Sequence, residues 1–183
     1  MLSCLDVLLA ELQLKNYRIK YNDPHDIAAI IECYILDVYK SSNIRKGDTV
    51  IDIGAGIGEF SVLASRIVGN NGKVISIEPS PNDFNTLQMN LKDNSCDIVM
   101  PLNLAISDKP EKIKLEFKGK TFESNADSLA NILRTLNIDP ERISFMKMDI
   151  EGGGSVLPYH QASKSLKTSA SWQLKSMADT LLN

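Results

Sequence analysis

Gly54, Gly56 and Gly58 recur at every second position in residues 49–59, T-V-I-D-I-G-A-G-I-G-E. Glycines spaced this way let a chain turn sharply and let a ligand lie against the main chain, with Ala55 and Ile57 between them. The acidic residues Asp52, Glu59, Glu78, Asp149 and Glu151 fall at predicted strand ends. In an α/β sheet those ends are where ligands bind. Together they bias the site towards a cation, although the whole chain carries a net charge of only -3.

The glycine spacing narrows the ligand. A dinucleotide turn reads G-x-G-x-x-G and seats a pyrophosphate on the following helix. Here the pattern is G-x-G-x-G and the sixth position is Glu59, whose carboxylate repels a pyrophosphate. S-adenosylmethionine has no phosphate and carries a cationic sulfonium, so it suits the acidic set. Glu78 at the end of a strand can accept hydrogen bonds from two ribose hydroxyls, a role common to NAD and S-adenosylmethionine enzymes that does not choose between them. Its competing reading is a glutamate that merely leaves a strand.

These residues need a sheet to hold them. Val50, Ile51 and Ile53 predict a buried strand before the glycine turn, and residues 60–68 a helix after it. Residues 69–72, G-N-N-G, are a stop signal, and 73–78 read as the second strand. Ser80-Pro81 opens a helix to about Leu91, as Asp23-Pro24 opens an earlier one to about Tyr39, with Asp26 in the capping position. Residues 97–104 are a third strand interrupted by Pro101, 111–120 alternate as a half-exposed strand, 127–136 form a helix, and 143–151 form the last confident strand. The expectation is an α/β, Rossmann-like, doubly wound and mainly parallel sheet. A leucine-spaced helix at 2–12 precedes it, so the division is 1–42 helical segment, 43–152 core and 153–183 tail.

Composition sets the outer bounds. The chain has 183 residues, 43% hydrophobic and 23% charged, which suits one globular core. The near-neutral charge gives no pull towards DNA or an anionic membrane, and no stretch is long and apolar enough to span a bilayer. Cys4, Cys33 and Cys96 are scattered, with no export signal ahead of them, so a reducing, cytoplasmic setting is expected. His25 and His160 stand in no metal spacing, and no metal is expected. Lys112, Lys114, Lys118 and Lys120 alternate with apolar residues and read as a solvated strand face.

The ordered set V-I-D-I-G-A-G-I-G, V-I-S-I-E-P-S-P, L-N-L-A-I-S-D and F-M-K-M-D-I-E-G resembles the class I S-adenosylmethionine-dependent methyltransferases, and within them the FkbM family, over residues 43–152. The resemblance implies a role for each matching position. Gly54, Ala55, Gly56 and Gly58 would shape the loop around the methionine and ribose of the cofactor, with Asp52 beneath it. Glu78 would hold the ribose, Pro79 and Ser80 would line the adenine side, and Asn103, Leu104 and Ala105 would lie beside the adenine. Asp149 and Glu151 would stand near the transferred methyl, where either could take the proton of a hydroxyl acceptor. The bland alternative for Lys147, Asp149 and Glu151 is a salt-bridged strand edge.

The implied function is O-methylation of a small molecule or glycan. Two other readings stay open, an RNA methyltransferase and a non-catalytic domain that binds the cofactor. The absence of a basic patch weighs against RNA. The tail gives weight to the non-catalytic reading. Family members continue with E-G-A-E, whereas Gly154 stands here in place of the second glutamate, and residues 153–183 are serine-rich and poorly patterned. A truncated or divergent C-terminus is therefore expected, with at most a weak helix over 163–182. The strand ending at Glu151 would then be an exposed edge through which the chain could form a homodimer.

Overall fold

The computed structural model describes residues 16–149 and 171–175. The helix expected at 2–12, Glu151 and His160 lie outside the described residues. In chain order the elements are α1 (Pro24–Tyr34), β1 (Thr49–Ile53), α2 (Glu59–Val68), β2 (Lys73–Ile77), α3 (Pro81–Asp93), β3 (Val99–Leu102), β4 (Ala105–Ile106), β5 (Glu111–Phe117), β6 (Lys120–Asp127), α4 (Leu129–Thr135), β7 (Ile143–Asp149) and β8 (Ser171–Lys175).

The main sheet has the order β3-β2-β1-β7-β8 and every pairing in it is parallel. A parallel sheet must be covered on both faces. Val50 and Phe145 face Phe60, Val62 and Ala64 of α2 and Leu87 and Leu91 of α3. Ile51, Ile53, Met146 and Met148 face Leu129, Ile132 and Leu133 of α4. Full burial of each such side chain contributes roughly 1.5–3 kcal/mol. The expected doubly wound α/β architecture is what the chain forms.

The helix starts follow the capping chemistry. Asp23 accepts the amide of His25 at 2.8 Å and Asp26 accepts that of Asp23 at 3.3 Å, with Pro24 in the first turn. Ser80 Oγ caps α3 through the amide of Asp83. Pro101 fits because β3 is the sheet edge.

Four boundaries differ from the sequence reading. α1 stops at Tyr34, which leaves Tyr39 in the connection to β1. The third strand ends at Leu102, and Ala105–Ile106 begins a separate three-stranded sheet, β4-β6-β5. The half-exposed strand is one arm of an antiparallel hairpin whose other arm, β6, runs into Asp127, so the next helix begins at Leu129 rather than Asp127. The tail supplies β8, which pairs with β7 from Phe145↔Ser171 to Asp149↔Lys175. A helix over 163–182 is thus overturned at 171–175, and β7 is no edge. The homodimer expectation loses the exposed strand it was built on. Residues 171–175, S-W-Q-L-K, lack the apolar run that announces β1 and β2.

Candidate active site

β1 and β7 lie in register with Asp52 opposite Lys147. Asp52 is the one charge of β1, Lys147 lies inside β7, which ends at Asp149, and both are enclosed, at 0% and 1% exposure. Lys147 Nζ donates to Asp52 Oδ1 and to the carbonyl of Gly54, each at 2.9 Å. Ser61 Oγ donates to Asp52 Oδ2 at 2.6 Å and lies 2.7 Å from Ser76 Oγ. The rings of Tyr39 and Phe60 flank the ammonium, their centroids 5.0 and 5.8 Å away. Burial pulls the Lys147 pKa down, but Asp52, Glu59 and Asp149 more than offset this and hold it above the ordinary lysine value. Removing one partner of such a pair strands the other and costs about 3–5 kcal/mol.

The glycine turn sits on this pair. Gly54 and Ala55 both donate to the carbonyl of Ile77 at 3.0 Å, which ties the turn to the end of β2. At Gly54, with φ of +71°, a Cβ would lie 1.7 Å from the carbonyl oxygen of Asp149. Here glycine is required by the close approach of β7. Gly56, with φ of +53°, presents its missing side chain to space where the nearest atom is Glu59 Oε2 at 4.0 Å. That is the face of the turn a ligand can reach, and Gly58 ends it as the N-cap of α2. Ala55, fully buried, packs into the core beneath.

Glu78 stands one residue beyond β2. Its Oε2 accepts the amide of Gly56 at 2.8 Å and its Oε1 that of Ser80 at 2.7 Å. The carboxylate therefore joins the glycine turn to the loop before α3. Each oxygen keeps a further lone-pair direction, the capacity two ribose hydroxyls would use. Burial raises the Glu78 pKa to about 7, against the lowering effect of the two amides. Asn103 Nδ2 donates to the carbonyls of Glu78 at 2.8 Å and Pro79 at 3.3 Å, so it fastens the loop after β3 to the same place. Ser80 is used as a helix cap, Leu104 packs into the core under α4, and Ala105 is buried in β4.

Asp149 ends β7 beside the turn, and the phenol of Tyr39 donates to its Oδ2. Burial, and then the charge of Asp149, push the Tyr39 pKa far up, so the phenol keeps its proton and stays a donor. Glu59, 4% exposed at the start of α2, is raised to about 7, first by burial and further by Asp52 and Asp149, while Lys147 works in the opposite direction.

The structure thus brings Asp52, Gly54, Gly56, Gly58, Glu78, Pro79, Ser80, Asn103 and Asp149 to the carboxyl end of the sheet. Asp52 is enclosed beneath the loop and supports it. Glu151 lies outside the described residues. Sequence reasoning missed Tyr39, Ser61, Ser76 and the buried partnership of Lys147. A signal existed for the last, since Asp52 and Lys147 are opposite charges with apolar neighbours on either side in two strands. Nothing in the sequence marked Tyr39. Among the described residues, no group of three or more histidine, cysteine, aspartate or glutamate side chains could hold a metal ion, and no helix is long and apolar enough to cross a membrane.

The donor set fits S-adenosylmethionine. Carboxylates lie around the turn, Glu78 has its acceptors placed, and the buried Lys147 ammonium is committed to Asp52 and Gly54. The methyltransferase FkbM domain matches residues 52–155. Protein-L-isoaspartate O-methyltransferase 2 of Archaeoglobus fulgidus is 43% identical over 58 residues, which is 32% of this chain and 23% of the relative. Demethylmenaquinone methyltransferase of Oceanobacillus iheyensis is 33% identical over 57 residues, 31% of this chain and 24% of the relative. The chain therefore spans about a quarter of the length of these curated relatives. The crystal structure of precorrin-6y C5,15-methyltransferase from Geobacter metallireducens GS-15 aligns with a TM-score of 0.50 at 18% identity, covering 80% of this chain and 63% of that one, a likeness of fold.

Proposed function

Because the chain belongs to the FkbM methyltransferase family, whose cofactor is S-adenosylmethionine, we propose that it methylates a hydroxyl oxygen of a small molecule or glycan. When bound, the cofactor supplies an electrophilic methyl group on a sulfonium that departs as a neutral thioether. Gly54, Gly56 and Gly58 shape its seat, and Glu78 takes the ribose while Pro79, Ser80 and Asn103 form the neighbouring wall.

The observation that carries the proposal is the state of Asp149. Its main chain packs on Gly54, and its Oδ2 accepts the hydrogen bond of a phenol that cannot ionise. Among the described residues no donor reaches its Oδ1, which would take the proton of an acceptor hydroxyl as that oxygen is methylated. Transfer is an in-line displacement, so holding acceptor and methyl in line supplies much of the rate. The base contributes a further factor of roughly 10²–10⁴.

The test is transfer of labelled methyl from S-adenosylmethionine to a panel of glycans, hydroxylated small molecules and RNA. Product among the first two classes is expected, with Asp149→Asn slowed at least about 100-fold while S-adenosylhomocysteine binding stays measurable. Label in RNA alone, or binding without transfer to any member, would overturn the proposal.

A further inference from the structure

Lys147 has more to do than balance Asp52. A buried ion pair can often be replaced by apolar side chains without loss of stability. The ammonium, however, also reaches the carbonyl of Gly54, the first residue of the turn. The other tethers of that turn come from elsewhere. Ile77 holds its first two amides, Glu78 holds that of Gly56, and Ala55 accepts from Gly58 at 2.8 Å. Lys147 is the side-chain tether from β7, the strand that also carries Asp149. The geometry points to Lys147 as a positioning residue of the cofactor site, its ammonium fixing the Gly54 carbonyl and so holding the glycine turn in register with Asp149.

Several observations support this beyond the contact itself. The ammonium is enclosed by Tyr39 and Phe60 and reaches no solvent, so the bond to Gly54 is not exchanged for water. Tyr39 also holds Asp149, which places the turn, the ammonium and the candidate base in one connected set. Asp52 is in turn held by Ser61 from α2 and, through it, by Ser76 from β2. The turn is thereby fixed relative to three neighbouring elements.

This inference rests on the proposed cofactor site, and its test separates the two. The comparison is the wild-type chain against Asp52→Asn/Lys147→Met, so that neither chain holds an unpaired buried charge, with Asp52→Asn as the control that keeps the ammonium. Two quantities are read, hydrogen exchange of the amides at 54–58 without any ligand, and calorimetric binding of S-adenosylmethionine. The double variant is expected to exchange at least tenfold faster at the turn, with the β2 amides unchanged, and to bind at least tenfold more weakly. Equal exchange in the two chains overturns the role. So does a double variant that fails to fold when Asp52→Asn folds, since Lys147 would then hold the whole domain rather than the turn. A wild-type chain that binds neither S-adenosylmethionine nor S-adenosylhomocysteine removes the cofactor reading, and the exchange comparison alone then decides on Lys147.

Discussion

The glycines of the turn look alike in sequence and differ in what forbids a side chain. Alanine at Gly54 would put its methyl 1.7 Å from the main-chain oxygen of Asp149, and backbone in a sheet cannot step aside. Alanine at Gly56 meets only the far end of Glu59, at 4.0 Å, so its structural cost is limited to the positive φ. Such a left-handed residue costs about 1–2 kcal/mol. We expect Gly54→Ala to lose about 3 kcal/mol or more of stability in urea titrations. Gly56→Ala should fold with a loss within the smaller figure and yet bind S-adenosylmethionine at least tenfold more weakly. Equal stability losses in the two variants would show that Gly54 is not under the close constraint described. Asp149 belongs to this scale too, because the main chain that excludes a Cβ at Gly54 is also what aims its carboxylate.

Among elements, the β5–β6 hairpin is the one whose placement needs explaining. It is joined to the main domain at its base through β4, and at its tip by Lys118. That lysine, in the turn with φ of +51°, donates to Asp23 at 2.7 Å and Asp26 at 2.8 Å, the two carboxylates that cap α1. Asn22 then links the same cap to Asp83 and Thr86 of α3. Burial works against the Lys118 charge, but the two carboxylates prevail and its pKa lies above the ordinary lysine value. Because the lysine is partly exposed, Lys118→Met should cost no more than roughly 1 kcal/mol of global stability. Its effect should instead be local, with faster hydrogen exchange over 111–127 and a difference from wild type that shrinks in high salt. Unchanged exchange in the hairpin would mean that the tip contact does not hold it. The sequence led one to read Lys118 as part of a solvated lysine face, because alternation reports which side of a strand is wet but not what the tip of a hairpin touches. The same limit explains β6 and β8. Residues 120–127 are mostly polar and gain strand geometry from β5, two residues back, while those of β8 gain it from β7, far away along the chain. The core strands were legible because Val50, Ile51, Ile53, Val74, Ile75 and Ile77 are apolar whichever neighbour they meet, and the cofactor half of the site was legible because it lies at their ends. Tyr39 was not, since a tyrosine after a helix carries no mark of the carboxylate it will find.

For the molecule as a whole, a net charge of -3 hides a concentration of carboxylates in the interior. Asp52 has its ammonium, but Glu59 has no direct ion pair among the described residues, and burial, assisted by Asp52 and Asp149, raises its pKa from 4.5 to about 7. A raised carboxylate pKa reverses the usual acid response. Below about pH 4.5 the glutamate is protonated in both folded and unfolded chains and has no effect on their balance. Between about 4.5 and 7 the unfolded chain has given up the proton and the folded chain retains it, so folding takes up a proton and stability falls as pH rises. Above about 7 both are ionised and the penalty is constant. Glu59→Gln removes this term while keeping an oxygen that can accept the residue's own amide. The variant should therefore gain stability relative to wild type as pH is raised from 4.5 to 8, with most of the gain complete near 7. Urea titrations of both chains at matched ionic strength measure the difference, from which the titration of every other group largely cancels. A difference that stays flat across that interval would mean that Glu59 is not held out of its ordinary range.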